Sequence, residues 1–215
     1  LCLASAAGFG AMAILARYAY RAGVGIPTLL AVRFAIAAIG FWLLVAVTRA
    51  VLPHRLLTRR LLALGAVGYA AQAALFFAAV ARLDAALAAL LLYCYPFLVF
   101  GLSVALGHET PTRERIVPLA VAGIGVLFVL GAGAGDRAMD PLGVALALGA
   151  AAVYTVYILV ADRLVTGTDP VAMSALAMTG AAVTCGAAAA LTGSLALDFA
   201  PIGWLALAPL YFRKL

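Results

Sequence analysis

An arginine set among apolar residues is the first group in this chain with chemistry to offer. Arg33 lies about seven residues into an apolar run over 27–48, roughly 10 Å along at helical rise. A guanidinium at membrane depth costs at least about 2.5–3.5 kcal/mol on insertion scales, so it must face protein or water. Two roles are open to it. It anchors a carboxylate or other polar group of a substrate through its forked donors, or it snorkels to the interface as a structural fastener. Tyr69, Gln72 and Phe76 recur at helical spacing in a later apolar run. A glutamine in hydrocarbon needs hydrogen-bond partners, so Gln72 either lines a polar cavity or bonds a neighbouring helix. Tyr93 and Tyr95 flank Cys94 just before Pro96. A proline there removes one ladder bond, which predicts a kink, and freed carbonyls of broken helices can line a cavity. Only one of these two tyrosines is expected to face inward. Tyr154 and Tyr157, three residues apart, share a helix face and offer aromatic walls and hydroxyls to the same cavity; the competing role is an aromatic belt at the interface.

Glu109 sits in a charged turn with His108, Arg113, Glu114 and Arg115. Its expected role is a solvated loop residue or, paired with an arginine, a cytoplasmic gate latch. Catalytic and metal chemistry find no support. The two histidines, His54 and His108, lie in loops, and Cys2, Cys94 and Cys185 fall in apolar stretches without CxxC spacing, so they read as small apolar filler. No enzyme, no cofactor and no metal site is expected. No Asp or Glu occupies the middle of any span. Coupling through an embedded acid, common in proton-driven carriers, therefore cannot come from this portion.

The elements that must position these groups follow from composition. The chain has 215 residues, 67% hydrophobic and 10% charged, against about 45–50% and 25% for a soluble domain. Its solvent is a bilayer. Continuous apolar segments argue for helices rather than barrel strands, which alternate every second residue. The fold class is therefore all-α, a polytopic helical membrane protein. Spans are expected at 1–20, 27–48, 61–81, 85–107, 116–135, 141–161 and 170–192, with an apolar stub at 202–212. The turn at Arg82–Asp84 is so short that its flanking spans form a tight antiparallel hairpin. A net charge of +6, scattered among loops rather than gathered in a patch, speaks against nucleic acid as a partner. Basic residues concentrate in the loops around 49–60, 107–115 and 162–169, which places those loops in the cytoplasm.

The series of spans restarts after its fifth member. Pro27 and Pro170 each open a span after a charged turn, and they stand 143 residues apart. Five is odd, so the second copy enters the membrane from the opposite side, an inverted repeat of the kind built around a midplane site. The repeats are placed at 1–135 and 141–215. At the same offset Arg33 corresponds to Leu176, so a site containing Arg33 is asymmetric.

The stretches LLAVRFAIAA (29–38), YAAQAALFFAAVARLDAALAALLLYCYPFLVFGLSVALGHE (69–109) and LGVALALGAAAVYTVYILVADR (142–163) carry a resemblance. The Arg33–Phe34 pair, the tyrosine and proline of span four and Glu109 are its most specific points. Together the chain resembles the EamA-type family of the drug/metabolite transporter superfamily. The resemblance implies ten spans in two inverted five-helix halves, of which about seven or eight are present here. It implies a multi-pass protein of the bacterial inner membrane that carries amino acids, metabolites or drugs by alternating access, with lipid and substrate as partners and a homo-oligomer as a further expectation. The missing final spans leave a second reading, a non-transporting truncated fragment or a membrane partner subunit.

Overall fold

The computed structural model describes residues 16–21, 23–133, 140–165 and 167–194. The expected stub at 202–212, and all but the end of the expected first span, lie outside them. Every regular element among the described residues is helical. Residues 16–21 close a first helix. There follow α1 (Ile26–Thr48), α2 (Arg55–Ala63), a π-helical segment (Leu64–Tyr69), α3 (Ala70–Arg82), α4 (Ala85–Leu92), α5 (Tyr95–Ala105), α6 (Arg113–Gly133), α7 (Pro141–Val165) and α8 (Pro170–Leu191). Helices α2 and α3 run through the π segment as one span of 28 residues, and α4 with α5 makes another of 21 residues. With α1, α7 and α8, five spans among the described residues are long and apolar enough to cross a membrane. Helix α6 has 21 residues, about the 30 Å of a hydrocarbon core at helical rise.

The acidic residues of the turns act as helix caps. Asp84 accepts from the Ala86 amide at 3.0 Å, Asp140 from Leu142 at 3.0 Å and Asp169 from Val171 at 2.8 Å. Each satisfies one of the donors that a helix start leaves without an internal partner. Pro27 and Pro170 both stand in the first turn of their helices, where a missing N–H costs nothing.

Three features differ from the sequence expectation. The third span begins at Arg55 rather than near 61, because its first turns carry Arg55, Arg59 and Arg60, all exposed. A helix keeps its ladder beyond the hydrocarbon, so hydropathy undercounts it. The fourth span is interrupted rather than bent. Pro96 offers no N–H to the carbonyl four residues back, and the chain answers with a tight turn at Tyr93–Cys94, where the Cys94 amide donates to Leu91 at 3.2 Å. The short turn at Arg82–Asp84 is present, but α3 and α4 pack more on α7 than on each other. The expected hairpin is thus opened to admit the sixth span.

Lipid tails are as apolar as leucine, so packing inside a bilayer rests on close fit more than on burial. Helices α1 and α8 form the most extensive pair. They run antiparallel, since Thr28 at the start of α1 bonds the Ser194 carbonyl and Trp42 donates to Thr179 at 2.9 Å. Where the third span crosses α8, backbone meets backbone. A Cβ added to Gly65 would fall on the Ala177 carbonyl, and one added to Gly180 on the Leu62 carbonyl. Among the small-residue pairs at four-residue spacing, Gly143-x-x-x-Ala147 makes a contact: a Cβ at Gly143 would lie 2.7 Å from Leu83, and Ala147 is fully buried. Gly101 has open space instead.

Candidate functional site

Five aromatic rings from four elements form one line. Phe34 of α1 meets Tyr69 edge-on at 5.4 Å, and Tyr69 meets Tyr157 of α7 at 5.4 Å. Tyr157 stacks on Tyr154 at 5.9 Å with the planes 11° apart, and Tyr154 meets Tyr95 of α5 at 4.7 Å. Each such pair contributes about 0.5–1.5 kcal/mol beyond its area. The local folding explains how they converge. Tyr69 ends the π segment, the turn at Tyr93–Cys94 aims Tyr95 at α7, and the three-residue spacing stacks Tyr154 over Tyr157.

Arg33 stands at one end of this line. Its Cζ lies 5.5 Å from the centre of the Phe34 ring and 5.2 Å from that of Phe77. Cation–π contacts contribute about 0.5–2 kcal/mol each, which offsets much of the insertion cost of about 2.5–3.5 kcal/mol. The arginine therefore faces protein rather than lipid. Phe77 is further held by Tyr20, whose hydroxyl donates to the Phe77 carbonyl at 3.0 Å.

The remaining residues singled out in the sequence divide. Gln72 is 6% exposed and sits in α3 with buried Phe76. Of the two tyrosines around Cys94, Tyr95 joins the ring line while Tyr93 is 40% exposed. Cys185 is buried and Cys94 half-buried, both as free thiols; Cys2 lies outside the described residues. No cluster of metal-ligating side chains occurs among the described residues. Sequence reasoning did not single out Tyr20 or Phe77, and no signal in the sequence sets them apart from other apolar-run aromatics.

Glu109 pairs with Arg115, a residue of the same loop and helix start. The contact that leaves this loop is made by its neighbour, His108, whose Nε2 lies 2.7 Å from Arg163 at the end of α7. Sequence reasoning placed His108 and Arg163 in loops without pairing them. At the opposite end of the spans, Arg17 pairs with Asp84 and Arg82 with Asp140, both at 3.1 Å. The Arg82 guanidinium bonded to Asp140 holds that carboxyl below its ordinary range. All these ion pairs lie at the surface, where solvent screening leaves each worth little.

One groove opens away from the rings, between α1 and α8, lined by Ala38, Ile39, Trp42, Leu43 and Thr179. Its two polar side-chain groups, the Trp42 indole N–H and the Thr179 hydroxyl, already bond each other, so it offers a ligand little but apolar contact. The ring line, with its hydroxyls and nearby cation, is the better candidate for recognising a polar organic molecule.

No curated protein and no solved structure matches the chain. The family model for EamA-like transporters matches residues 1–131 of the 215. This multi-pass helical chain belongs to the EamA-like transporter family, a family of membrane transporters of the drug/metabolite type.

Proposed function

We propose that the protein carries small organic molecules across the membrane by alternating access, holding them between Arg33 and the tyrosines at 69, 95, 154 and 157. The observation that carries this reading is the convergence of those four rings from three separate elements on Phe34 of a fourth, with an arginine held at that end of the line. Hydroxyl-bearing rings give a planar or polar solute both faces to stack on and groups to bond. The rings touch one another, so a solute must part them to enter. That suits a site which opens to one side at a time. The antiparallel pairing of α1 with α8, each opened by a proline, supports a repeat inverted after five spans. The basic loops at 49–60, 107–115 and 162–169 support a bacterial inner-membrane orientation with those loops cytoplasmic.

The test is an uptake and resistance screen in a transporter-deficient bacterial host, with a panel of amino acids, metabolites and drugs. One solute class should be moved by the wild-type chain and not by its Tyr157→Ala variant at equal membrane abundance. Equal transport by both, or none of any solute by the wild type, overturns the proposal.

A further inference from the structure

The third span is shared between two groups of helices. Its first part, α2, packs on α8 and barely touches α7, whereas its last part, α3, packs on α7 and barely touches α8. The π segment between them touches both. Helix α1 goes with α8, and α4 and α5 go with α7. By their main contacts seven of the described helices fall into one body of α1, α2 and α8 and another of α3, α4, α5 and α7, joined within the third span at Leu64–Tyr69, with a shared core of Phe34, Phe76, Phe77 and Cys185 between them.

That joint is built to turn. A π-helix bonds i to i+5 and is rare; it holds one residue more than the same stretch of α-helix, and such turns inside α-helices are frequent at functional sites. Its two glycines face the two bodies. Gly65 lies against the Ala177 backbone of α8, and Gly68 lies against the Tyr157 ring of α7, where a Cβ would stand 3.1 Å from Cδ2. The crossing at Gly65 and Gly180 brings bare backbones together, which fixes the start of the π segment to α8 inside the first body, while Gly68 at its other end leaves room for the Tyr157 ring of the second. Moving the wide turn by one residue rotates the residue it passes by about 100°. Tyr69 is the last residue of the segment. It touches Phe34 of the first body and Tyr157 of the second, and Arg33 of the first body lies over Phe77 of the second. The candidate site therefore lies on the seam.

We infer that the π-helical segment Leu64–Tyr69 is the hinge on which the α3–α4–α5–α7 body moves against the α1–α2–α8 body, with Tyr69 swinging to open and close the ring line. This rests on the carrier reading for its purpose, but not for its detection. Deleting Ala66 removes the extra residue of the π turn, so the span can close into continuous α-helix with both flanking registers kept.

The experiment uses spin-label distances in lipid nanodiscs, with the native cysteines replaced. One pair, Arg59→Cys with Asp162→Cys, reports across the seam. The other, Val47→Cys with Leu191→Cys, reports within the first body. All four positions are exposed. The wild type should show two distance populations for the first pair and one for the second. Deletion of Ala66 should leave a single population for the first pair and reduce solute uptake at least tenfold. A single unchanging distance across the seam in the wild type overturns the hinge, even if the deletion variant does not fold. Two populations that persist after deletion overturn it as well. Two populations that collapse as expected, in a protein moving no solute, leave the hinge standing and remove the carrier reading instead.

Discussion

Replacing Gly180 by alanine should destabilise the protein through one backbone contact. The added Cβ would fall on the Leu62 carbonyl, with the Ala66 nitrogen at 2.8 Å and the Leu62 carbonyl carbon at 3.0 Å. Carbon contacts are comfortable at about 3.5–4.0 Å, and neither neighbour is the loose end of a side chain. The third span and α8 must move apart by about 1 Å, a misfit in the class that costs about 1–3 kcal/mol. The same substitution at Gly186, in the same helix, meets nothing within 4 Å. There alanine should stabilise by up to about 1 kcal/mol through helix propensity alone. The two variants should therefore differ by about 1–4 kcal/mol, or roughly 5- to 700-fold in the folding equilibrium. Reversible unfolding in mixed detergent micelles, followed by circular dichroism, measures the difference. Gly65→Ala should resemble Gly180→Ala, and the double variant should cost less than the two added, since parting the helices relieves both clashes. Equal stabilities for the Gly180 and Gly186 variants would refute the backbone crossing.

Further outcomes follow from the ring line and the helix caps. Tyr157→Ala loses two ring contacts and should cost about 1–3 kcal/mol in the same unfolding assay. Tyr157→Phe keeps both rings and should match wild-type stability, so a transport defect in that variant isolates the hydroxyl. Arg33→Leu should abolish solute uptake while membrane abundance, read by immunoblot, stays at the wild-type level; unchanged uptake removes Arg33 from the site. Asp140 is held below its ordinary range chiefly by the hydrogen bond from Arg82. Its stabilising contribution is therefore complete above the unfolded carboxyl value, about pH 3.9, and fades as pH falls through the lower folded value. Asp140→Asn should flatten the acid limb of the stability profile, and an unchanged limb would refute the linkage.

Much of this architecture is legible in the chain because the bilayer simplifies the reading. Apolar length identifies the spans, and Asp84, Asp140 and Asp169 mark helix starts because their carboxylates can accept the first free amides. The helix start at Arg55 is less legible, since a helix continues past the hydrocarbon into turns that hydropathy scores as polar. The tyrosines at 69, 154 and 157 stood out as polar-tipped residues at membrane depth. That Tyr95 rather than Tyr93 meets the others depended on how far the chain turns at Cys94.

Hydropathy read along the chain names the solvent, marks the five spans found among the described residues and finds an arginine with several tyrosines where polarity is costly. Each of those is a local property: hydropathy, helical rise and the insertion cost of a charge act on one segment at a time. Packing in three dimensions sets the rest: that the third span carries a π turn, that Gly65 lies on Ala177 and Gly180 on Leu62 while Gly101 meets nothing, and that Arg33 rests on Phe34 and Phe77. Those depend on which helices approach and how closely. In a membrane that choice is made by small differences in packing among surfaces that are all apolar, and such surfaces look alike when read along a single strand of sequence.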